Sequence, residues 1–308
     1  MKLAVPDMIS NSYFPAEAAI ELGFMREEGL DVSLELIFPV DKAYEALRDG
    51  AVDFVAGSAH SALAAFPDFQ GVKLLCAQAQ GMYWFLVLHR DFGARRGDLE
   101  AVKGRHIGAA PWVDMGLKQL LIAAGLDLAR DGVRIAPVPG AQGSGVNFGL
   151  TAARALEERK IDGFWANGMA AELAVTRGVG TVVLDVRRGD GPKEAFNYTM
   201  ASVAASERLI ALGPDIAAAA VRAIVKTQGA LKRDVSLAGQ VGRALFPETE
   251  AGLITELVRR DLPYYDAAIS PDFVAGMSRF AQDLGLIARP LAYEQAVATQ
   301  FAPLWKAA

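Results

Sequence analysis

Short apolar runs of strand length recur along the chain, and each is followed by a longer stretch with helical spacing. Lys2–Val5 reads as a strand stopped by Pro6, and residues 14–28 read as a helix that ends at Gly29. Residues 31–38 alternate, with Val32, Leu34 and Leu36 on one face and Ser33, Glu35 and Ile37 on the other, as a half-buried strand does. A helix over 41–48 and a strand over 52–56 follow, then strands at 71–77 and 84–89. Beyond these, the pattern predicts strands within 101–109 and at 133–138, 162–165, 181–186 and 200–206. Helices fall between them at 113–124, 152–159 and 170–177. The last third reads as helices at Pro214–Arg233, Glu248–Asp261, 271–284 and 291–304. Alternating strands and helices of this kind describe an α/β protein.

One stretch, 47–66 (LRDGAVDFVAGSAHSALAAF), carries the organising unit: helix end, Asp-Gly turn, buried strand, Gly-Ser loop, new helix. The unit returns at 156–175 (LEERKIDGFWANGMAAELAV), where Leu156 stands to Asp162 as Leu47 stands to Asp53. Both strands run into a small polar loop, Gly57-Ser58-Ala59-His60 in one and Asn167-Gly168-Met169 in the other. Two copies predict two similar α/β lobes. A strand-to-helix junction of this kind gathers free backbone amides, which suits a carboxylate, a sulfonate or a polar ring atom.

At 308 residues, with 52% hydrophobic and 22% charged positions, the chain is long for one core, and two domains are expected. A net charge of −5 without a basic stripe gives no basis for a nucleic-acid partner. The Ala-rich tracts are too short and too often charged to span a membrane. Cys76 is the single cysteine, so no internal disulfide can form, and its apolar neighbours make it a buried strand residue. Three histidines, none in metal-binding spacing, predict no metal site, and no cofactor is expected. Met1 runs straight into the first strand, which places the protein in the periplasm if a leader has been removed and in the cytoplasm otherwise.

Three segments carry a family resemblance: Gly23-Phe24-Met25-Arg26-Glu27-Glu28-Gly29-Leu30-Asp31-Val32, Gly50-Ala51-Val52-Asp53-Phe54-Val55-Ala56, and the run from Leu99 to Asp127. With the opening strand and its loop, they resemble the type II periplasmic solute-binding proteins of ABC importers. The branch is the one that takes nitrate, sulfonates, taurine and thiamine precursors. The resemblance covers most of residues 1–185. It implies two lobes, each a mixed sheet flanked by helices, joined by two crossovers. Lobe one would be 1–88 plus 204–308, and lobe two 89–203. It also implies a small-molecule ligand, a transporter permease as partner, and a monomer.

Candidate ligand contacts cluster where strands run out, since ligands of open α/β sheets sit there. Ser10, Asn11, Tyr13 and Phe14 follow the first strand, and Phe38 ends the second. Ser58, Ala59 and His60 follow the third; His60 either donates to a polar ligand group or is held by backbone carbonyls. Gln80 and Trp84, with Tyr83 between them in the chain, form a loop rich in contact-making side chains. Pro111 and Trp112 open a helix, Trp165, Asn167 and Met169 end the repeated strand, and Asn197 and Tyr198 precede the second crossover. Gly143-Ser144-Gly145-Val146-Asn147-Phe148-Gly149 has one residue too many for a dinucleotide fingerprint and reads as a glycine-rich cleft loop. The candidates are rich in aromatic rings and poor in Lys and Arg, which favours an aromatic or heterocyclic ligand, with an acidic group allowed. No catalytic residue is assigned. The alternatives are a cytoplasmic enzyme on the same fold, of the aromatic-acid decarboxylase or thiamine-precursor synthase type, or a cytoplasmic ligand sensor. His60 and Asp114 are the acid–base pair that an enzyme would use.

Overall fold

The computed structural model describes residues 1–143 and 145–306. Ten strands are formed in chain order: β1 (Lys2–Val5), β2 (Ser33–Leu36), β3 (Phe54–Ser58), β4 (Val72–Ala79), β5 (Phe85–His89), β6 (His106–Ala109), β7 (Arg134–Ala136), β8 (Gly163–Ala166), β9 (Gly180–Asp185) and β10 (Ala201–Ser206). They build two sheets of five, ordered β2-β1-β3-β10-β4 and β7-β6-β8-β5-β9. In each sheet the first three strands run parallel, and the fourth runs antiparallel to both of its neighbours. The sheets therefore share one topology, strand for strand. In both, the antiparallel strand enters from the other side of a crossover.

The repeated aspartates explain part of this likeness. Asp53 Oδ2 accepts the amide of Lys2 at 2.7 Å, and the Asp53 amide donates to the Lys2 carbonyl at 2.9 Å. Asp162 does the same to His106, with both bonds at 2.8 Å. Each carboxylate therefore braces the first residue of the neighbouring parallel strand, where the ladder would otherwise fray.

Burial follows the pattern read from sequence. In the helix Val40–Arg48, residues Val40, Ala43, Tyr44 and Leu47 face the core at helical spacing. β3 and β8 are buried along their whole length, as strands covered by helices on both faces must be. The helix Pro214–Arg233 buries alanines and β-branched residues against lobe one, with Pro214 in the first turn where it costs no hydrogen bond.

Several boundaries differ from expectation. The helix expected at 14–28 stops at Glu21, because Gly23 is left-handed (φ +84°), and only a single turn, Phe24–Glu27, follows. β3 runs on through Gly57 and Ser58, which pair with Ser202 and Ala201, and a 3₁₀ segment, Ala59–Ala64, replaces the α-helix expected after it. The final helix expected at 291–304 is broken: Val297 bridges to Leu74, and Pro303 sits in a 3₁₀ stretch. The strand placed in lobe one at 84–89 belongs to the second sheet, where β5 pairs with β8 and β9. The chain thus crosses at 80–84 rather than after residue 88, and returns before β10 rather than at residue 204. Arg187 ties the two crossovers together, its Nε donating to the Gln80 carbonyl at 2.8 Å.

Replacing Asp162 by Ala should cost about 1.5–3 kcal/mol in urea unfolding, since a charge-assisted bond to a strand amide is lost. Asp53→Ala should cost less, because Lys2 is exposed and water replaces the brace. Equal losses at the two positions would show that burial does not set the difference.

Candidate ligand-binding site

The carboxyl ends of the parallel strands of both sheets meet at one seam, the usual place for a ligand in open α/β sheets. After β1 the chain turns through Pro6 and Asp7, and after β2 it turns at Phe38. From lobe two come Ala110 and Val113 after β6, Phe148 at the start of the helix Phe148–Glu157, and Ala166 and Asn167 at the end of β8. With Ser10, Ser12, Tyr13, Val40 and Trp84 these residues enclose a cavity of about 30 Å³. That is close to the volume of one water molecule, so the lobes stand closed. No lysine, arginine or histidine lines the cavity among the described residues.

Aromatic rings make its walls. Phe38 of lobe one stacks on Phe148 of lobe two, with centroids 5.7 Å apart and planes at 15°. Trp84 lies behind them, edge-on to Trp165 at 6.2 Å. The Tyr13 and Tyr83 hydroxyls share a hydrogen bond of 3.0 Å.

Asp7 carries the polar chemistry. Its Oδ2 accepts from the Gly149 amide at 3.0 Å and from Asn167 Nδ2 at 2.6 Å. Both donors belong to lobe two, and Gly149 lies in the first turn of its helix, where amides are free and the dipole favours negative charge. Oδ1 is buried without a partner, as is Ser12 Oγ. Burial pushes the Asp7 carboxyl up to about 7, against the smaller opposing pull of those two hydrogen bonds. The approach depends on a missing side chain: a Cβ on Gly149 would lie 2.5 Å from Asn167 Nδ2. Gly168 has the same role opposite Asn11, whose side chain would be 2.8 Å from an added Cβ.

Of the residues singled out from sequence, Ser10, Tyr13, Phe38, Trp84 and Asn167 line this cavity together. Asn11 lies on the far side of the same loop, accepting from the Met169 amide at 3.1 Å and donating to Asp261 at 2.8 Å. The Met169 side chain fills the apolar contact beneath that loop. Phe14 points away from the seam and packs on Phe246. Ser58 bonds Ser61 at 2.6 Å, and the Ala59 amide donates to the Met200 carbonyl. Gln80 turns outward to the carbonyls of Asp266 and Ala268. Pro111 and Trp112 are half-buried beside the cavity, and Trp165 is buried behind Trp84 with its indole nitrogen unpartnered. Asn197 and Tyr198 line a separate cavity of about 270 Å³, where Tyr198 stacks on Phe280. The glycine-rich segment leads into the helix at Phe148, and its Ser144 lies outside the described residues.

His60 is a strut between the lobes. Its Nε2 lies 3.1 Å from the Trp112 carbonyl, so that nitrogen carries the proton and donates across the seam. Burial holds the ring's pKa down to about 4, so the ring is neutral at physiological pH. Trp112 itself has φ +68°, a conformation that bulky residues rarely adopt and that the strut helps to hold. Asp114, its expected partner, pairs with Lys118 instead. Sequence reasoning missed Asp7, Ser12 and Phe148. For Asp7 a signal was present: a lone acid directly after the strand that opens the chain.

This architecture is the two-lobed type II periplasmic-binding-protein fold, with two mixed sheets of five strands flanked by helices. No family model matches the chain, and no curated protein matches its sequence. Solved structures match it over nearly its whole length. A protein of Bordetella bronchiseptica RB50 superposes with TM-score 0.75 at 20% identity, covering 98% of this chain and 95% of that one. The alkanesulfonate-binding protein SsuA from Xanthomonas axonopodis pv. citri, bound to MOPS, gives 0.72 at 13%, covering 96% and 97%. A point mutant of DSZB in complex with biphenyl-2-sulfinic acid gives 0.63 at 17%, covering 98% and 97%. At these identities the likeness is one of fold. No helix among the described residues is long and apolar enough to cross a membrane.

The raised carboxyl makes a pH prediction. The folded protein keeps the Asp7 proton up to about pH 7, whereas the unfolded chain releases it near 3.8. Stability from this group is full below 3.8 and is lost as pH rises through about 7. His60, with its lowered pKa, acts in the opposite sense below pH 6.5 and cancels in a comparison with Asp7→Asn. The unfolding free energy of wild type minus that of Asp7→Asn should fall with pH, by up to about 1.4 kcal/mol per pH unit. The fall should run between the two pKa values and level off above them. A difference independent of pH would show that Asp7 titrates as an ordinary carboxylate.

Proposed function

We propose that this protein is a solute-binding protein that closes its lobes on a small aromatic or heterocyclic ligand bearing an N–H or cationic nitrogen. It delivers that ligand in the periplasm to the permease of an ABC importer. The observation that carries the reading is the pairing of aromatic walls with a buried, half-satisfied carboxylate: Asp7 Oδ1 lacks a partner in a cavity without a basic residue among those described. A buried acceptor of this kind favours a ligand that brings a hydrogen to it. Ser12 Oγ supplies a second polar contact. The fold it shares with the sulfonate-binding protein supports transport as the setting.

The walls also suggest how the ligand enters. A ring held between Phe38 and Phe148 needs their planes roughly 7–8 Å apart, two contact distances of about 3.5–4 Å. Their centroids are 5.7 Å apart in the closed state, so parting the lobes by a small hinge rotation opens the slot. Ligand binding then shifts the open–closed equilibrium by replacing the Phe38–Phe148 contact with two ring contacts.

Thermal-shift screening of aromatic amines, pyrimidines and related heterocycles beside sulfonates, with mass spectrometry of each hit, tests this reading. A nitrogen-bearing hit should return unchanged, and Asp7→Asn should weaken it by about tenfold or more, the loss of one charge-assisted bond. Phe148→Ala should weaken it as well. If only sulfonates bind, and Asp7→Asn leaves them unaffected, the ligand class is wrong. A hit converted to product would make the protein an enzyme.

A further inference from the structure

A second cavity, of about 170 Å³, lies between the lobes on the hinge side of the loop that carries Asp7. Lobe one contributes Asn11, Arg260 and Asp261 to it, lobe two contributes Arg96, Glu172 and Asp185, and Arg187 and Arg188 come from the second crossover. This cavity and the one at the ligand-binding seam share no lining residue.

Arg187 is its fixed point. The side chain is only 5% exposed. Nε donates to the Gln80 carbonyl at 2.8 Å, and Nη1 donates to Asp261 Oδ1 at 3.3 Å. The guanidinium lies beside two rings, 5.1 Å from the centroid of Tyr264 and 5.6 Å from that of Tyr83. Nη2 is buried and has no partner. A buried guanidinium N–H without an acceptor is costly, and a ligand oxygen at this place would remove the cost.

The free donor of Arg187, beside carboxylates that are already occupied, sets the sign of the ligand. Each carboxylate lining the cavity already holds a cation: Asp261 holds Arg187, Asp185 holds Arg188 at 3.2 Å, and Glu172 holds Arg260 at 2.6 Å. Arg96 pairs outside the wall, with Asp190 at 2.8 Å. The four guanidinium groups of the lining are thus matched by its three carboxylates and Asp190, and the unpartnered donor is Arg187 Nη2.

We propose that this hinge-side cavity is a second binding site, distinct from the ligand cleft, that takes a small oxyanion (phosphate, sulfate or a compact carboxylate) on Arg187 Nη2. Guanidinium groups suit such ions because their planar N–H forks match oxyanion geometry. Both lobes and a crossover wall the cavity, so a bound oxyanion favours the closed arrangement of the hinge.

Calorimetric titration of the full chain with inorganic phosphate, at an ionic strength held constant with sodium chloride, tests the proposal. Saturable binding at one site per chain is expected. Arg187→Lys keeps the charge but loses the fork, and should weaken phosphate by about tenfold or more. Glu172→Gln removes a competing carboxylate and should leave binding as strong or stronger. If near-ultraviolet circular dichroism shows that Arg187→Lys does not fold, Arg188→Ala is read in its place. Absence of saturable binding overturns the proposal, as does binding of unchanged strength in the folded arginine variant. Neither outcome bears on the ligand cleft, whose test uses other residues.

Discussion

The closed form rests on a carboxylate held out of water at the seam. Asp7 leaves lobe one at the end of its first strand and takes both of its hydrogen bonds from lobe two, through the Gly149 amide and the Asn167 side chain. Removing a charge from water is expensive unless it is paired or well bonded. These two donors meet only part of that demand, which is why the carboxyl holds its proton to about pH 7. In the closed arrangement the remaining oxygen is left as a buried acceptor without a partner.

The loop from Asp7 to Tyr13 has two polar sides. Asp7, Ser10, Ser12 and Tyr13 face the cleft, while Asn11 faces backward and is clamped between the Met169 amide and Asp261. Asp261 in turn holds Arg187, and Arg187 binds the first crossover at Gln80. Tyr83, on that crossover, closes the circuit through its bond to Tyr13. The cleft lining and the hinge are thus parts of one hydrogen-bonded unit. A network of this kind is stiff when complete, so movement of the lobes must break it at particular bonds and not by general bending.

Much of this could be read from the chain. The repeated Leu-to-Asp spacing located both organising units, because the braces made by Asp53 and Asp162 have the same geometric requirement. The aromatic cleft was legible because Tyr13, Phe38, Trp84 and Asn167 lie at strand ends, where topology places ligand contacts. The crossover position was not. β5 is as apolar as a lobe-one strand would be, and only its pairing with β8 and β9 assigns it. Nor was the fate of His60, since a histidine after a strand can equally meet a ligand or a backbone carbonyl. Phe14 and Phe38 look alike in sequence, yet helical direction turns Phe14 into the core while Phe38 reaches across the seam. Asp7 carries a positional signal, an acid directly after the opening strand, but no spacing pattern that sets it apart from other loop acids.

The two lobes repeat each other more closely than their ligand chemistry does. β1 corresponds to β6 and β3 to β8 in the two sheet orders. His60, after β3, donates across the seam to the Trp112 carbonyl, after β6. Asn167, after β8, donates across the seam to Asp7, after β1. These are the same contact made in both directions, from the end of one lobe's third strand to the end of the other lobe's first. The difference lies in the acceptor. A peptide carbonyl carries no net charge and takes the imidazole Nε2 hydrogen, while the buried Nδ1 of the neutral ring is left without a partner. A carboxylate has a second oxygen and a charge to disperse, so the unpartnered Asp7 Oδ1 draws a further donor more strongly than the neutral ring does. The duplicated architecture supplies two equivalent bridges, and the aspartate in one of them creates the asymmetry that a ligand can use.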